Sequence, residues 1–167
     1  MIIKFTNYSD GIHEFELVKK AKDLHLEEPF INDVHINCKM DKSHSQLVLS
    51  CDLSVDVKLT CDRCADDFES KFENHFDNIY LFGREEEPLE DIDVYQLAPE
   101  ADKIDLSEDV KEYANLALPM KILCSEDCLG LCPKCGKNLN EQTCGCSKDN
   151  VSNVWEPLQK LKDKLNK

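Results

Sequence analysis

The sequence predicts an α+β protein: an antiparallel β-sheet domain followed by one helix and a small cysteine-rich module at the C-terminal end. Three observations predict it. Apolar and polar residues alternate at period two over residues 47–61. The apolar spacing changes to that of a helix after Asp105. Six of the 10 cysteines then crowd into the 23 residues from Cys124 to Cys146.

The elements follow in chain order. Ile2, Phe5, Phe15 and Leu17 supply an N-terminal strand or hairpin. Residues 30–40 alternate with Val34, Ile36, Cys38 and Met40 on one face. In the longest segment Leu47, Leu49, Cys51, Leu53, Val55, Val57, Leu59 and Cys61 share a face, while Ser50, Asp52, Ser54, Asp56 and Lys58 take the other. Residues 68–82 repeat the pattern with Phe68, Phe72, Phe76, Tyr80 and Phe82. Short turns between such neighbours predict antiparallel pairing, so residues 1–83 are read as one β-rich domain. On this reading Cys38 and Cys51 are small buried hydrophobes. Residues 84–104 read as an acidic linker in which Pro88 and Pro99 break any long helix. Residues 105–119 read as a helix packing on the sheet: Asp105 and Glu108 resemble a capping box, Leu106, Val110, Ala114, Ala117 and Leu118 form its apolar face, and Pro119 stops it. Residues 120–167 form the metal module, ending in a short basic helix, Glu156 to Asn166.

Charge narrows the function classes. The chain of 167 residues has 20 Lys plus Arg against 34 Asp plus Glu, a net charge of -14. Such a field argues against coating nucleic acid or an anionic membrane. The charge is uneven, however, with 12 acids and 3 bases in residues 84–112 but 6 acids and 8 bases in residues 113–167. The acidic stretch is either a solvated loop or a docking strip for a basic partner. The first residues lack a basic region followed by an apolar run, and no segment approaches the roughly 18 apolar residues of a membrane helix. A soluble, cytoplasmic protein with reduced thiols is expected, which makes a disulfide framework unexpected.

The cysteines therefore point to metal. In Cys132-Pro-Lys-Cys135-Gly, two thiolates separated by two residues can face one ion, Pro133 fixes the turn and Gly136 frees amides to approach the sulfurs. Cys144-Gly-Cys146 supplies a second pair, closing a four-thiolate tetrahedron suited to Zn(II). An iron–sulfur cluster is the competing chemistry, but knuckle spacing favours zinc. Protein ligands fill every position, leaving none for water or substrate, so the zinc is read as structural. Cys61-Asp-Arg-Cys64 is a further pair. It is open to three readings: half of a second site completed by Cys124 and Cys128, a turn pair without metal, or a redox couple. Cys124 and Cys128 are equally open to serving the first site. A thioredoxin-like enzyme would need the CxxC to open a helix, whereas Cys64 leads into an acidic, strand-like ADDFESKF. No HExxH, GxSxG, P-loop or GxGxxG occurs, and His13, His25, His35, His44 and His75 are scattered without catalytic spacing.

Together, CDRC at Cys61 to Cys64, the stretch ending IDLSEDV at Val110, a helix reaching Leu118-Pro119, CSEDCLGLCPKCGKNLNEQTCGC from Cys124, and a Trp155-Glu156-Pro157-Leu158 tail resemble the bacterial YceD family, the large ribosomal RNA subunit accumulation proteins. The resemblance covers roughly residues 30–165 and is most specific in GLCPKCGKNLN with its following CxC. It implies a small non-enzymatic cytoplasmic protein needed for synthesis, processing or stability of 23S ribosomal RNA, with the large-subunit precursor or its proteins as partner and no small-molecule substrate. It carries over no catalytic residue, and family members differ in whether they keep the tail cysteines. Any direct contact with 23S RNA belongs where the charge is positive: Lys134, Lys137 and Lys148 on the metal module, and Lys160, Lys162, Lys164 and Lys167 on the last helix. The alternative is a zinc-containing adaptor that binds proteins through the acidic strip, without a ribosomal RNA role.

Overall fold

In the computed structural model, which describes residues 1–83 and 93–146, the alternating segments become strands of one five-stranded sheet. Its order is β2 (Gly11–Lys20), β3 (Phe30–Lys42), β4 (Gln46–Thr60), β5 (Asp67–Phe82) and β6 (Val94–Leu97), antiparallel from β2 to β5. A two-stranded sheet pairs β1 (Ile2–Ile3) with β7 (Ile104–Asp105). With the helix α1 (Ser107–Leu116), the architecture is α+β, as the sequence predicts.

β4 is the spine. Its 15 residues pair with β3 on one side and with β5 along their whole length on the other. Leu47, Leu49, Cys51, Leu53, Val55 and Val57 are each at most 1% exposed, so the period-two pattern reports one fully buried face. α1 covers that face with Leu106, Val110 and Ala114, and Phe76 of β5 stacks on Tyr113 with ring centroids 4.7 Å apart. Burial of each such aliphatic side chain contributes about 1.5–3 kcal/mol, which makes this seam the main source of stability. The opposite face of β2 to β5 is polar. There His75 lies between two carboxylates, its Nδ1 2.8 Å from Asp52 Oδ1 and its Nε2 3.2 Å from Asp77 Oδ1.

Three details depart from the sequence reading. Cys38 and Cys51 are buried as expected, but they are joined in a disulfide, correcting the expectation of reduced thiols. The cause is register: the two stand directly opposite each other across β3 and β4, Cα atoms 4.2 Å apart, so both sulfurs enter the same space. Within residues 84–104, read as a linker, Val94–Leu97 forms β6 parallel to β5, and Ile104 begins β7; residues 84–92, with Pro88, lie outside the described residues. Finally, Asp105 is no capping-box residue. α1 starts at Ser107 without a side-chain cap on Leu106, and Asp105 Oδ1 instead accepts the Ser107 amide at 3.0 Å and the Met1 amine at 2.7 Å, fastening the small sheet to the helix start. Among the described residues no helix is long and apolar enough to cross a membrane. The expected C-terminal helix, Glu156 to Asn166, lies outside the described residues.

Two outcomes follow. Leu53→Ala, on a residue 1% exposed at the centre of β4, lowers unfolding free energy by about 2–5 kcal/mol in urea titrations. The two carboxylates, Asp52 first, raise the pKa of His75 above its ordinary 6.5. Its contribution to stability is therefore complete below pH 6.5 and is lost as pH rises through the raised value. The urea midpoint of the wild type should fall over that window relative to a His75→Gln variant; curves that stay parallel would contradict the assignment.

Candidate metal centres

The tight link from β4 to β5 is made by Cys61-Asp-Arg-Cys64. The Cys61 amide donates to Asp66 O at 2.9 Å and the Ala65 amide to Cys61 O at 2.9 Å, curling the turn so that both sulfurs face inward. The chain leaving α1 then docks onto this turn. Asp62 donates its amide to Ile122 O at 2.8 Å and accepts the Ile122 amide on Oδ2 at 2.7 Å. Arg63 Nη1 donates to the carbonyls of Glu126 at 3.1 Å and Cys128 at 2.9 Å, while Arg63 O accepts the Leu131 amide at 3.0 Å. Gly130 makes this approach feasible. Its φ is +73°, and a Cβ there would sit 2.9 Å from Arg63 O, so only glycine fits without displacement.

This docking gathers Cys61, Cys64, Cys124 and Cys128 from positions some sixty residues apart. Their sulfurs all lie within 4.8 Å of one another, with Cys61 to Cys128 at 3.8 Å and Cys64 to Cys124 at 3.7 Å. Cys61, Cys64 and Cys128 are buried and Cys124 is at the surface.

The second cluster is local. Cys132 donates its amide to Lys137 O at 2.8 Å and accepts the Gly136 amide at 2.9 Å, with Gly136 at φ +72°, so Cys132 and Cys135 form a closed knuckle. Cys144 and Cys146 return to it, and these four sulfurs also lie within 4.8 Å of one another. Only Cys132 is buried; Cys135 is exposed and the other two are half-buried. The loop between the pairs reaches back to the first cluster. Asn140 Nδ2 donates to Cys128 Sγ at 3.3 Å, Asn140 Oδ1 accepts the Leu129 amide at 2.7 Å, and Asn138 Nδ2 donates to Asp66.

The electrostatics suit cations. Burial opposes ionisation of Cys61, but the amides of Cys64, Cys124 and Arg63 outweigh it and hold this thiol down to about 6. The Cys135 and Lys134 amides likewise bring Cys132 to about 6. Their partners move the other way. The Asp66 amide favours the Cys64 thiolate, yet burial and the neighbouring Cys61 and Cys124 sulfurs push the thiol up. The Cys135 sulfur, with burial, pushes Cys146 up to about 12. In each cluster a thiol held low sits beside one pushed up, a crowding that a divalent cation would relieve by taking the place of protons on the sulfurs. Each cluster can hold one metal ion with four sulfur ligands.

The structure thus places Cys124 and Cys128 with Cys61 and Cys64, not with the tail four. Arg63, Gly130, Asn138 and Asn140, which assemble these clusters, were not singled out from sequence; the glycine two residues before Cys132 was the available signal. Lys134 and Lys137 are exposed around the Cys132 knuckle, whereas Lys148, Lys160, Lys162, Lys164 and Lys167 lie outside the described residues. Residues 120–146 hold Lys121, Lys134 and Lys137 against Glu126, Asp127 and Glu141, so the positive surplus of the tail comes from residues 147–167.

Comparison with known proteins gives a consistent set. A family model described as "Large ribosomal RNA subunit accumulation protein YceD" matches residues 49–162, a span that includes all eight clustered cysteines. The chain is 27% identical over 139 residues to large ribosomal RNA subunit accumulation protein YCED homolog 1, chloroplastic, of Arabidopsis thaliana, covering 65% of this chain and 42% of that protein. It is 38% identical over 63 residues to the homolog of the same name from Zea mays, covering 36% of this chain and 21% of that protein. It spans less than half the length of both plant relatives. Uncharacterized protein YlbN of Bacillus subtilis is 29% identical over 155 residues, 92% of this chain and 86% of that protein. No solved structure matches.

Gly130→Ala tests the docking contact. The left-handed backbone and the 2.9 Å approach to Arg63 O predict a loss of about 1–3 kcal/mol. It should appear as faster proteolysis between residues 120 and 131 with the sheet intact; unchanged protection would contradict the contact.

Proposed function

This chain belongs to the YceD family of large ribosomal RNA subunit accumulation proteins, and on that premise we propose that it supports accumulation of the large ribosomal subunit by acting on 23S ribosomal RNA synthesis, processing or stability. The supporting observation is the family match itself, which spans the spine of the sheet, the helix and both cysteine clusters. The protein acts by binding, not by catalysis: its clustered nucleophiles are four-sulfur sets with no ligand position left for substrate or water. The metal of the tail cluster, Cys132, Cys135, Cys144 and Cys146, is zinc in a structural role, because an all-thiolate tetrahedron with knuckle spacing suits Zn(II). The protein works in the cytoplasm on the large-subunit precursor or its proteins.

RNA contact, on this reading, is confined to the tail, through Lys134, Lys137, Lys148, Lys160, Lys162 and Lys164. The rest of the chain is strongly acidic, so phosphate is repelled from the sheet and the contact is local and salt-sensitive. Four thiolates on one zinc carry net negative charge, and the described part of the tail is already charge-balanced. The lysines beyond residue 147 therefore matter most.

Cells lacking the gene should show less large subunit in sucrose gradients, with 23S precursor ends unprocessed or degraded and wild-type protein restoring both. Normal profiles would refute the proposal. In co-sedimentation with large-subunit precursors, a variant with Lys160, Lys162, Lys164 and Lys167 changed to Glu should be released at lower salt than wild type; full retention would sink the basic-tail contact.

A further inference from the structure

We propose that Cys61, Cys64, Cys124 and Cys128 form a second, buried zinc site that fastens the tail to the sheet and keeps its ion when the tail site has lost its own. The inference rests on the zinc–thiolate reading of the tail cluster and extends it to a different set of residues. Geometry carries it. Four sulfurs bound about 2.3 Å from one ion in a tetrahedron stand about 3.8 Å from each other. Two of the six separations in the inner cluster are 3.8 Å and 3.7 Å, and all six lie within 4.8 Å. Sulfurs in plain contact stand at similar distances; what packing alone does not call for is the convergence of four of them, two from the β4–β5 link and two from a segment some sixty residues later, within reach of one point. The Cys124 amide, directed at Cys61 Sγ at 3.4 Å, and Asn140 Nδ2, 3.3 Å from Cys128 Sγ, supply the hydrogen bonds that thiolates on a metal require.

The two sites differ in ways that set the order of ion loss. The inner site has three buried ligands and joins two segments that hydrogen bonds of Asp62, Arg63, Asn138 and Asn140 hold together. To release its ion, the segment from Ile122 to Leu131 must leave the β4–β5 turn. The outer site draws its ligands from 15 consecutive residues and exposes Cys135, so local opening of its knuckle is enough. Asn140 lies in the outer loop yet bonds an inner ligand, which makes it a positioning residue between the two sites.

Native mass spectrometry of protein purified without chelator, followed by zinc transfer to a colorimetric chelator, tests this. Expected are two zinc ions per chain, released in a fast and a slow phase. Cys132→Ser with Cys135→Ser should remove the fast phase and leave one slowly released ion. Asn140→Ala keeps all eight thiols, so folding is not put at risk; it should leave two ions bound and weaken retention of the slow one about ten- to hundredfold. Cys61→Ser with Cys64→Ser should leave one ion and make the chain from about residue 120 protease-sensitive. One ion per chain that is lost only from the outer pair variant would overturn the inner site and spare the tail site, whereas a chain without zinc would overturn both. A single release phase in wild type, or a slow phase unmoved by Asn140→Ala, would overturn the ordering and the role of Asn140.

Discussion

The cysteine module depends on the docking of residues 122–131 against the six-residue link between β4 and β5. Without it residues 120–146 have little to hold them. Residues 120–146 contain no helix and no strand, only the isolated bridge between Leu131 and Asn138, and about two-thirds of these residues are exposed. Such a segment cannot bury enough apolar surface to offset the entropy of ordering it. Hydrogen bonds from Asp62 and Arg63 place it, and a metal ion held by the clustered sulfurs would supply the energy that a hydrophobic core supplies elsewhere.

The sheet prepares this arrangement. β4 buries one face along its whole length, which fixes its register against β5 and hence where the turn falls. The same alternation that buries Leu53 and Val55 continues to Cys61, so the first cysteine of the inner cluster is the next inward position just past the spine. α1, packed by Leu106, Val110 and Ala114, returns the chain to the same end of the sheet. Fold and site are thus one construction, with the core delivering two thiols and the helix delivering the segment that brings two more.

Sequence reasoning reached most of the fold because period two over long segments is an unambiguous signal, and it found the tail knuckle because those ligands are local. It failed where partners are distant or the signal is short. β6 is four residues long, sits after an acidic stretch with a proline, and is defined by its pairing with Ile79–Phe82, not by its own composition. The Cys38–Cys51 bond is legible only from register, because the two alternating segments flank a tight turn that places those residues opposite each other, whereas the compartment argument points to free thiols. Cys61 and Cys64 alone are ambiguous because a CxxC becomes half of a site only when a second pair arrives, and that arrival is written in Asp62, Arg63 and Gly130, residues with no metal signature of their own.

A crystal structure with an anomalous difference map at the zinc edge tests the central claim most directly. The account predicts two peaks per chain, one of them equidistant, at about 2.3 Å, from the sulfurs of Cys61, Cys64, Cys124 and Cys128. An inner cluster with no anomalous peak, its sulfurs apart or bridged to one another, would contradict it.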